Sequence, residues 1–234
     1  MRVLVTPDYR TLSRTAAELV LRAVRAKPAL TLGLPTGNTP LGMYDELVRA
    51  YREQHLDFSN LRVFNVDEYA GLAKNDPHSY RAYMREHFFN HVNVPPENIH
   101  TPEQDTAYEK EIADAGGMDL LVIGIGLNGH IAFNEPGSSF SSRTREVQLS
   151  PETIANARQH FGGAPVPARA ITIGIGTILD SRCIVLLATG PSKKAIVHRA
   201  LHGPVSEAVP ASVLQTHPNV VALVDEAASS ELER

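Results

Sequence analysis

A three-layer α/β fold, with a mainly parallel sheet and helices on both faces, follows from three observations. Short apolar runs recur along the chain. They are near-continuous rather than alternating, the pattern of strands covered on both faces. Stretches with helical spacing and helix start signals separate them, and alternating β and α elements build layered α/β domains. The predicted strands are Arg2–Val5, Leu30–Leu34, Arg62–Val66, Leu120–Ile125, Ala170–Ile175, Ile184–Ala188 and Val220–Val224. The first predicted helix, Thr11–Arg25, has a Ser/Thr-rich start and apolar residues at Leu12, Ala16, Leu19, Val20 and Ala23. Pro40–Gln54 opens with proline in its first turn, where a missing N–H costs nothing. His78–His91 carries Tyr80, Tyr83, Met84, His87 and Phe88 at helical spacing, and Pro102–Ala115 and Ser192–Leu201 complete the set.

Composition narrows the function classes. The 234 residues are 43% hydrophobic, enough for a sizeable core, and no repeat or long linker divides them, so one domain over 1–234 is expected. Lys plus Arg is 22 against 26 for Asp plus Glu, a net charge of −4, which lacks the basic footprint of a nucleic-acid binder. Cys183 is the single cysteine, so neither an internal disulfide nor a cysteine-based metal site is available; its apolar setting reads as a small buried hydrophobe. MRVLVTPDYR turns polar too soon for a signal peptide, and no apolar run reaches the roughly 20 residues of a membrane span. The expectation is a cytoplasmic protein with no membrane or nucleic-acid partner.

Ligands of open α/β sheets bind at the carboxyl ends of strands, and four predicted strand ends carry polar motifs. Thr36-Gly37-Asn38-Thr39 precedes a helix start, where free N–H groups favour an anion; the alternative is an ordinary cap by Thr39. Lys193, in Gly190-Pro191-Ser192-Lys193, places a cation at a second such junction and reads as an anion ligand or as a solvated lysine. Asp67, after Phe64-Asn65-Val66, suits a general base or a turn residue. The fourth end is GIGLNGHIAFNEPGSS, from Gly124 to Ser139. Its Gly124-x-Gly126-x-x-Gly129 matches the dinucleotide fingerprint literally, but no amphipathic helix follows. The glycines are read instead as room for a ligand. His130 is then the natural acid/base, with Glu135 and Asn128 to orient and polarise it. A metal held by His130, Glu135 and Asp67 lacks the usual two-histidine spacing. His55, His91, His100 and His202 are expected at the surface, and His78 at a helix cap or the site.

FNVDEYAGL, HSYRAYM, GIGLNGHIAFNEPGSSFSSRTR and ASVLQTHPNV together resemble the glucosamine/galactosamine-6-phosphate isomerase family, the glucosamine-6-phosphate deaminases, over nearly the whole chain. The resemblance implies a modified Rossmann-like fold. It also implies conversion of glucosamine 6-phosphate and water to fructose 6-phosphate and ammonia, without metal or coenzyme. In that chemistry His130 opens the pyranose ring, Glu135 supports it, and Asp67 moves a proton from carbon 2 to carbon 1. Thr36, Gly37, Asn38, Thr39, Arg158 and Lys193 match positions that hold the sugar phosphate, Arg158 lying in a mobile lid around 149–170. Asn128 stands where many members carry aspartate. The chain is also short beside hexameric members with an N-acetylglucosamine 6-phosphate effector. It is therefore expected to be non-allosteric, as a monomer or small homo-oligomer. Galactosamine-6-phosphate deaminase, 6-phosphogluconolactonase and a non-catalytic sugar-phosphate sensor are the alternatives.

Overall fold

A computed structural model describes residues 1–73, 75–103 and 105–232, leaving aside the side chains of residues 105 and 106. In chain order the strands are β1 (Arg2–Thr6), β2 (Thr31–Leu34), β3 (Arg62–Asn65), β4 (Asp67–Tyr69), β5 (Ile99–His100), β6 (Leu120–Gly124), β7 (Arg145–Gln148), β8 (Arg169–Thr172), β9 (Ile184–Ala188) and β10 (Val220–Asp225). The α-helices are α1 (Tyr9–Ala26), α2 (Leu41–Gln54), α3 (Tyr80–His87), α4 (Asp105–Asp114), α5 (Pro151–Ala157), α6 (Ile175–Leu179), α7 (Lys194–His202) and α8 (Glu226–Ser229). Seven strands form one sheet in the order β1-β10-β9-β6-β2-β3-β5, parallel throughout. The expected helix over Pro102–Ala115 is the shorter α4, and Gln104 within that range lies outside the described residues.

Both faces of the large sheet are dry. Leu120 and Val122 of β6 point into a core with Leu12, Ala16 and Val20 of α1 and Met43, Tyr44 and Leu47 of α2. Leu121 and Ile123 point the other way, into a core with Ile196, Val197 and Ala200 of α7 and Ile175 and Ile178 of α6. A strand with this double duty cannot alternate apolar with polar, which is why the runs read as continuous. Each fully buried Leu, Ile or Val contributes about 1.5–3 kcal/mol of transfer free energy before entropy is counted. Helix α1 begins two residues before the predicted start, because the Asp8 carboxylate accepts from Thr11 N–H at 2.7 Å and caps it.

One predicted strand belongs elsewhere. Residues Arg169–Thr172 pair antiparallel with β4 and β7 in a separate three-stranded sheet, and Ile175 already begins α6. The run ends because Gly174, itself extended, is the N-cap of α6; it packs so close to the Ser142 backbone that a side chain there would collide with it. Two of the three strands, β4 and β7, carry no long apolar run and escaped prediction. The sheets meet at Val66. Its N–H donates to Leu34 of the large sheet at 3.2 Å, and its carbonyl accepts from Ile173 N–H, just past β8, at 2.9 Å. Asp67 is the first residue beyond this seam.

Residues 149–170 pack onto the small sheet. Leu149 and Phe161 are buried with Tyr69, Phe133 and Ala170. Phe161 stacks on His78, and the His160 ring bonds the His78 carbonyl at 2.9 Å. His78 therefore serves this packing, while the α3 cap is Ser79. His100 is not a free surface residue: it stacks on Phe64 at 4.3 Å and meets Glu111 at 3.0 Å. Cys183 is half-buried at the edge of the first core, not sealed in it.

Candidate active site

The ends of β2, β3, β6 and β9 converge on one cleft of about 370 Å³. It holds Thr36, Gly37, Asn38 and Thr39 from the first, Asp67 just beyond the second, Gly124, Gly126 and His130 beyond the third, and Ser192 and Lys193 beyond the fourth. A larger cavity of about 730 Å³ lies beside the edge strand β5, away from this convergence. The four motifs, far apart in sequence, thus form one site because parallel strands all deliver their following loops to the same edge.

The Thr36–Thr39 loop is held by tyrosines. Tyr44 donates to the Pro35 carbonyl, Tyr83 to Gly37 at 2.6 Å and Tyr9 to Asn38 at 3.2 Å. The N–H groups of Thr36, Gly37, Asn38 and Thr39 donate to no protein acceptor among the described residues. Thr39 is not the α2 cap; Pro40 occupies that position in helical geometry with no side-chain bond. A loop with three carbonyls engaged and its amides open, at the start of a 14-residue helix, is electrostatically suited to an anion. Lys193 faces it, half-buried, its Nζ donating to the Ile125 carbonyl at 2.6 Å, and burial lowers its pKa. The turn bearing it is fixed by Asp225, which accepts from Gly190 N–H at 3.0 Å.

Asp67 is 6% exposed, and its Oδ1 has no hydrogen-bond partner. Burial, and then repulsion from Glu68, push its pKa well above the ordinary value of 3.8. The capping role that Asp67 could have had belongs to Glu68, which accepts from the N–H groups of Tyr80 and Arg81 at 2.9 Å each. A buried carboxyl with an open oxygen at a cleft floor is equipped to take a proton.

His130 sits opposite in character. Its ring lies over Gly126, and a Cβ on that glycine would overlap the imidazole. Gly126 therefore makes room for His130, a correction to the reading of every glycine as space for a ligand; Gly124, with open space around it, keeps that reading. His130 Nδ1 faces Glu135 Oε2 at 3.6 Å, ion-pair distance but longer than a hydrogen bond. Asn128 ties the two together: its Nδ2 donates to the same Glu135 oxygen at 2.6 Å, and its Oδ1 accepts from the His130 N–H at 3.2 Å. Burial pulls the Glu135 carboxyl up, but His130, Thr153 and Asn128 outweigh it and hold the pKa at about 2. Ala132 nearby has φ 48°, an uncommon conformation for a residue with a side chain. The fully buried Asn134 braces this turn, donating to Ile131 and Ile173 carbonyls and accepting from Arg145. Among the described residues no three His, Cys, Asp or Glu side chains are grouped to hold a metal ion.

Arg158 is not brought to the cleft. It is exposed at the C-terminal cap of α5, while Asn156, two residues earlier, lines the cavity. Sequence reasoning missed Asn156, Tyr80, Phe133 and Ser192 as lining residues. It also missed α5 itself, although Ser150-Pro151-Glu152 is a helix start signal.

Open amides, an unpartnered buried carboxyl and a histidine backed by a carboxylate thus meet at the carboxyl edge of a parallel sheet, and the chain belongs to a family of enzymes with this fold. The profile described as glucosamine-6-phosphate isomerases/6-phosphogluconolactonase matches residues 8–222. More narrowly, the chain is 44% identical over 239 residues to the glucosamine-6-phosphate deaminase of Thermoanaerobacter pseudethanolicus, covering 98% of this chain and 94% of that one. It is 45% identical over 245 residues to glucosamine-6-phosphate deaminase 2 of Bacillus subtilis, covering 100% and 98%. A solved structure of a monomeric glucosamine-6-phosphate deaminase superimposes with a TM-score of 0.94 at 41% identity, over 98% of this chain and 99% of that one. The 6-phosphogluconolactonase of Leishmania guyanensis, at 19% identity and a TM-score of 0.77 over 99% and 98% of the chains, shares the fold.

Proposed function

We propose that this chain is a glucosamine-6-phosphate deaminase, converting glucosamine 6-phosphate and water to fructose 6-phosphate and ammonia. The observation that carries the reading is the meeting of Asp67, His130 and Glu135 around one cleft whose far wall is an anion cradle. The substrate phosphate lies against the amides of Thr36, Gly37, Asn38 and Thr39, with Lys193 as a point charge. His130 moves a proton between the hydroxyl on carbon 1 and the ring oxygen, opening the pyranose. Glu135, already ionised, stabilises the imidazolium that forms. Asp67 takes the proton from carbon 2 and returns it to carbon 1, through an enolamine. Water then adds at carbon 2 and ammonia departs, leaving the ketose.

The segment 149–170 is read as a lid over this cleft, in one domain spanning the chain. Its two glycines at 162 and 163 have φ of 53° and 95°, left-handed values that glycine adopts without strain. Arg158 joins the phosphate only when that segment moves toward the cradle. Among the described residues no helix is long and apolar enough to cross a membrane. A cytoplasmic, effector-independent enzyme, as a monomer or small homo-oligomer, is the proposed form, and the likeness to a monomeric deaminase supports the smaller assembly.

Ammonia release from glucosamine 6-phosphate, with galactosamine 6-phosphate and 6-phosphogluconolactone in parallel, tests the reading. Release from the first substrate with no lactone hydrolysis is expected. Binding of the sugar phosphate without ammonia at millimolar substrate would point to a sensor and end the proposal.

A further inference from the structure

Glu135 has two oxygens, and the structure engages them with different partners. Oε2 faces His130 and takes the Asn128 amide. Oε1 accepts from the hydroxyls of Ser150, at 3.1 Å, and Thr153. These two residues open α5, the helix that also carries Asn156 into the cleft. Ser150 is the α5 cap, its Oγ accepting from Thr153 N–H at 3.1 Å. Capping uses only a lone pair of that oxygen. The Ser150 hydroxyl proton has two acceptors at 3.1 Å, Glu135 Oε1 and Thr153 Oγ1, and the Thr153 proton goes to the same carboxylate oxygen, which the Ser150 N–H also approaches at 3.5 Å. The carboxylate cannot rotate away from His130 without giving up these donors.

We propose that Ser150 and Thr153 are positioning residues for the acid/base pair: docking of the α5 N-terminus fixes Glu135, and Glu135 fixes His130. The inference rests on the deaminase reading for its catalytic consequence. It makes the segment over the cleft part of the proton-transfer machinery as well as a cover. Loss of these donors frees the carboxylate to turn and loosens its hold on the His130 ring. The ionisable groups around the cluster are His130, Asp67 and Lys193 lining the cleft, and Glu152 in the first turn of α5.

Thr153→Val, which keeps shape, and Ser150→Gly, which keeps most of the cap, each remove one donor. Each should lower kcat roughly tenfold with KM little changed, since bonds to a charged group carry about that factor. Thr153→Ser should restore the rate. In a Glu135→Gln background the same changes should add less than about twofold, because residues acting through one partner are not additive. The imidazole resonances of His130, followed by NMR on the whole protein at one fixed pH, should move or broaden in Thr153→Val as the ring loses its fixed neighbour. Unchanged kcat and unchanged His130 resonances in both folded variants, or the full loss repeated in Glu135→Gln, would overturn the inference. The NMR spectrum reads it even in an enzyme that releases no ammonia, so a failed deaminase reading and a failed positioning role stay distinct.

Discussion

The two carboxylates of the cleft sit in opposite surroundings. Asp67 stands at the seam between the large and small sheets, buried, beside a second carboxylate and with one oxygen unpartnered. Glu135 stands on the loop after β6, ringed by an amide, two hydroxyls and an imidazole. The first environment favours the neutral acid and the second the anion. A group that must accept and return a proton gains from the first. A group whose task is a fixed charge needs the second. The difference comes from backbone placement: a strand crossing between two sheets carries its side chain to the buried floor of the cleft, whereas an irregular loop gathers donors from a later helix.

The largest test of that contrast is Asp67→Asn. Substrate binding should persist while kcat falls about 10³-fold, the scale of a lost general base. Ammonia release at saturating substrate checks it, and unimpaired turnover would remove Asp67 from the role. In the unaltered enzyme kcat/KM should fall on the acid side as Asp67 takes up a proton, at a pH above the usual carboxylate range. Glu135, ionised down to about 2, should give no limb of its own at the pH values of an assay.

Gly126→Ala comes next. The added methyl overlaps the His130 ring, so the imidazole must leave its place over the backbone. A loss of about 10²-fold in kcat is expected, on the scale of misplaced catalytic geometry. A circular dichroism spectrum like that of the parent shows that the fold survives. Lys193→Ala should raise KM about tenfold and leave kcat less affected, since it removes a charge held against bound phosphate throughout the reaction. A KM equal to that of the parent would take Lys193 out of the cradle.

Smaller effects sharpen the comparison. Asn128→Asp sets a second carboxylate where an amide now donates to Glu135. The Glu135 carboxylate loses one donor but keeps Ser150 and Thr153, so kcat should stay within about threefold of the parent, and a larger loss would make the amide indispensable. The last effect is on stability. The folded-state pKa of Asp67 lies above its unfolded value, so folding favours the protonated form, and this contribution is lost as pH rises. Asp67→Asn, which carries no charge to bury, should therefore melt a few degrees higher at pH 7. The gain should vanish below the ordinary carboxylate pKa of 3.8, where both chains are neutral at this position. Equal melting temperatures at pH 7 would mean that Asp67 is better solvated than its burial implies.

Much of this site is legible in the amino-acid sequence. Continuous apolar runs mark strands buried on both sides, and polar motifs at four of their ends mark the edge where a ligand binds. That logic places nine of the ten expected residues at the cleft or directly behind it, because a parallel sheet leaves its loops no other edge. Arg158 is the exception, since its position depends on how α5 and the segment after it pack. The short strands β4 and β7 are illegible for a related reason: their stability comes from pairing with β8, not from their own patterns.

The sequence by itself determined the fold class, the catalytic candidates and the edge at which they meet, since these follow from local periodicity and strand connectivity. Only the tertiary structure decided the protonation tendencies of the two carboxylates, the need for glycine at 126 beneath His130, and the hold of Ser150 and Thr153 on Glu135. Those depend on burial and on hydrogen bonds a few ångströms long, which one-dimensional spacing does not encode.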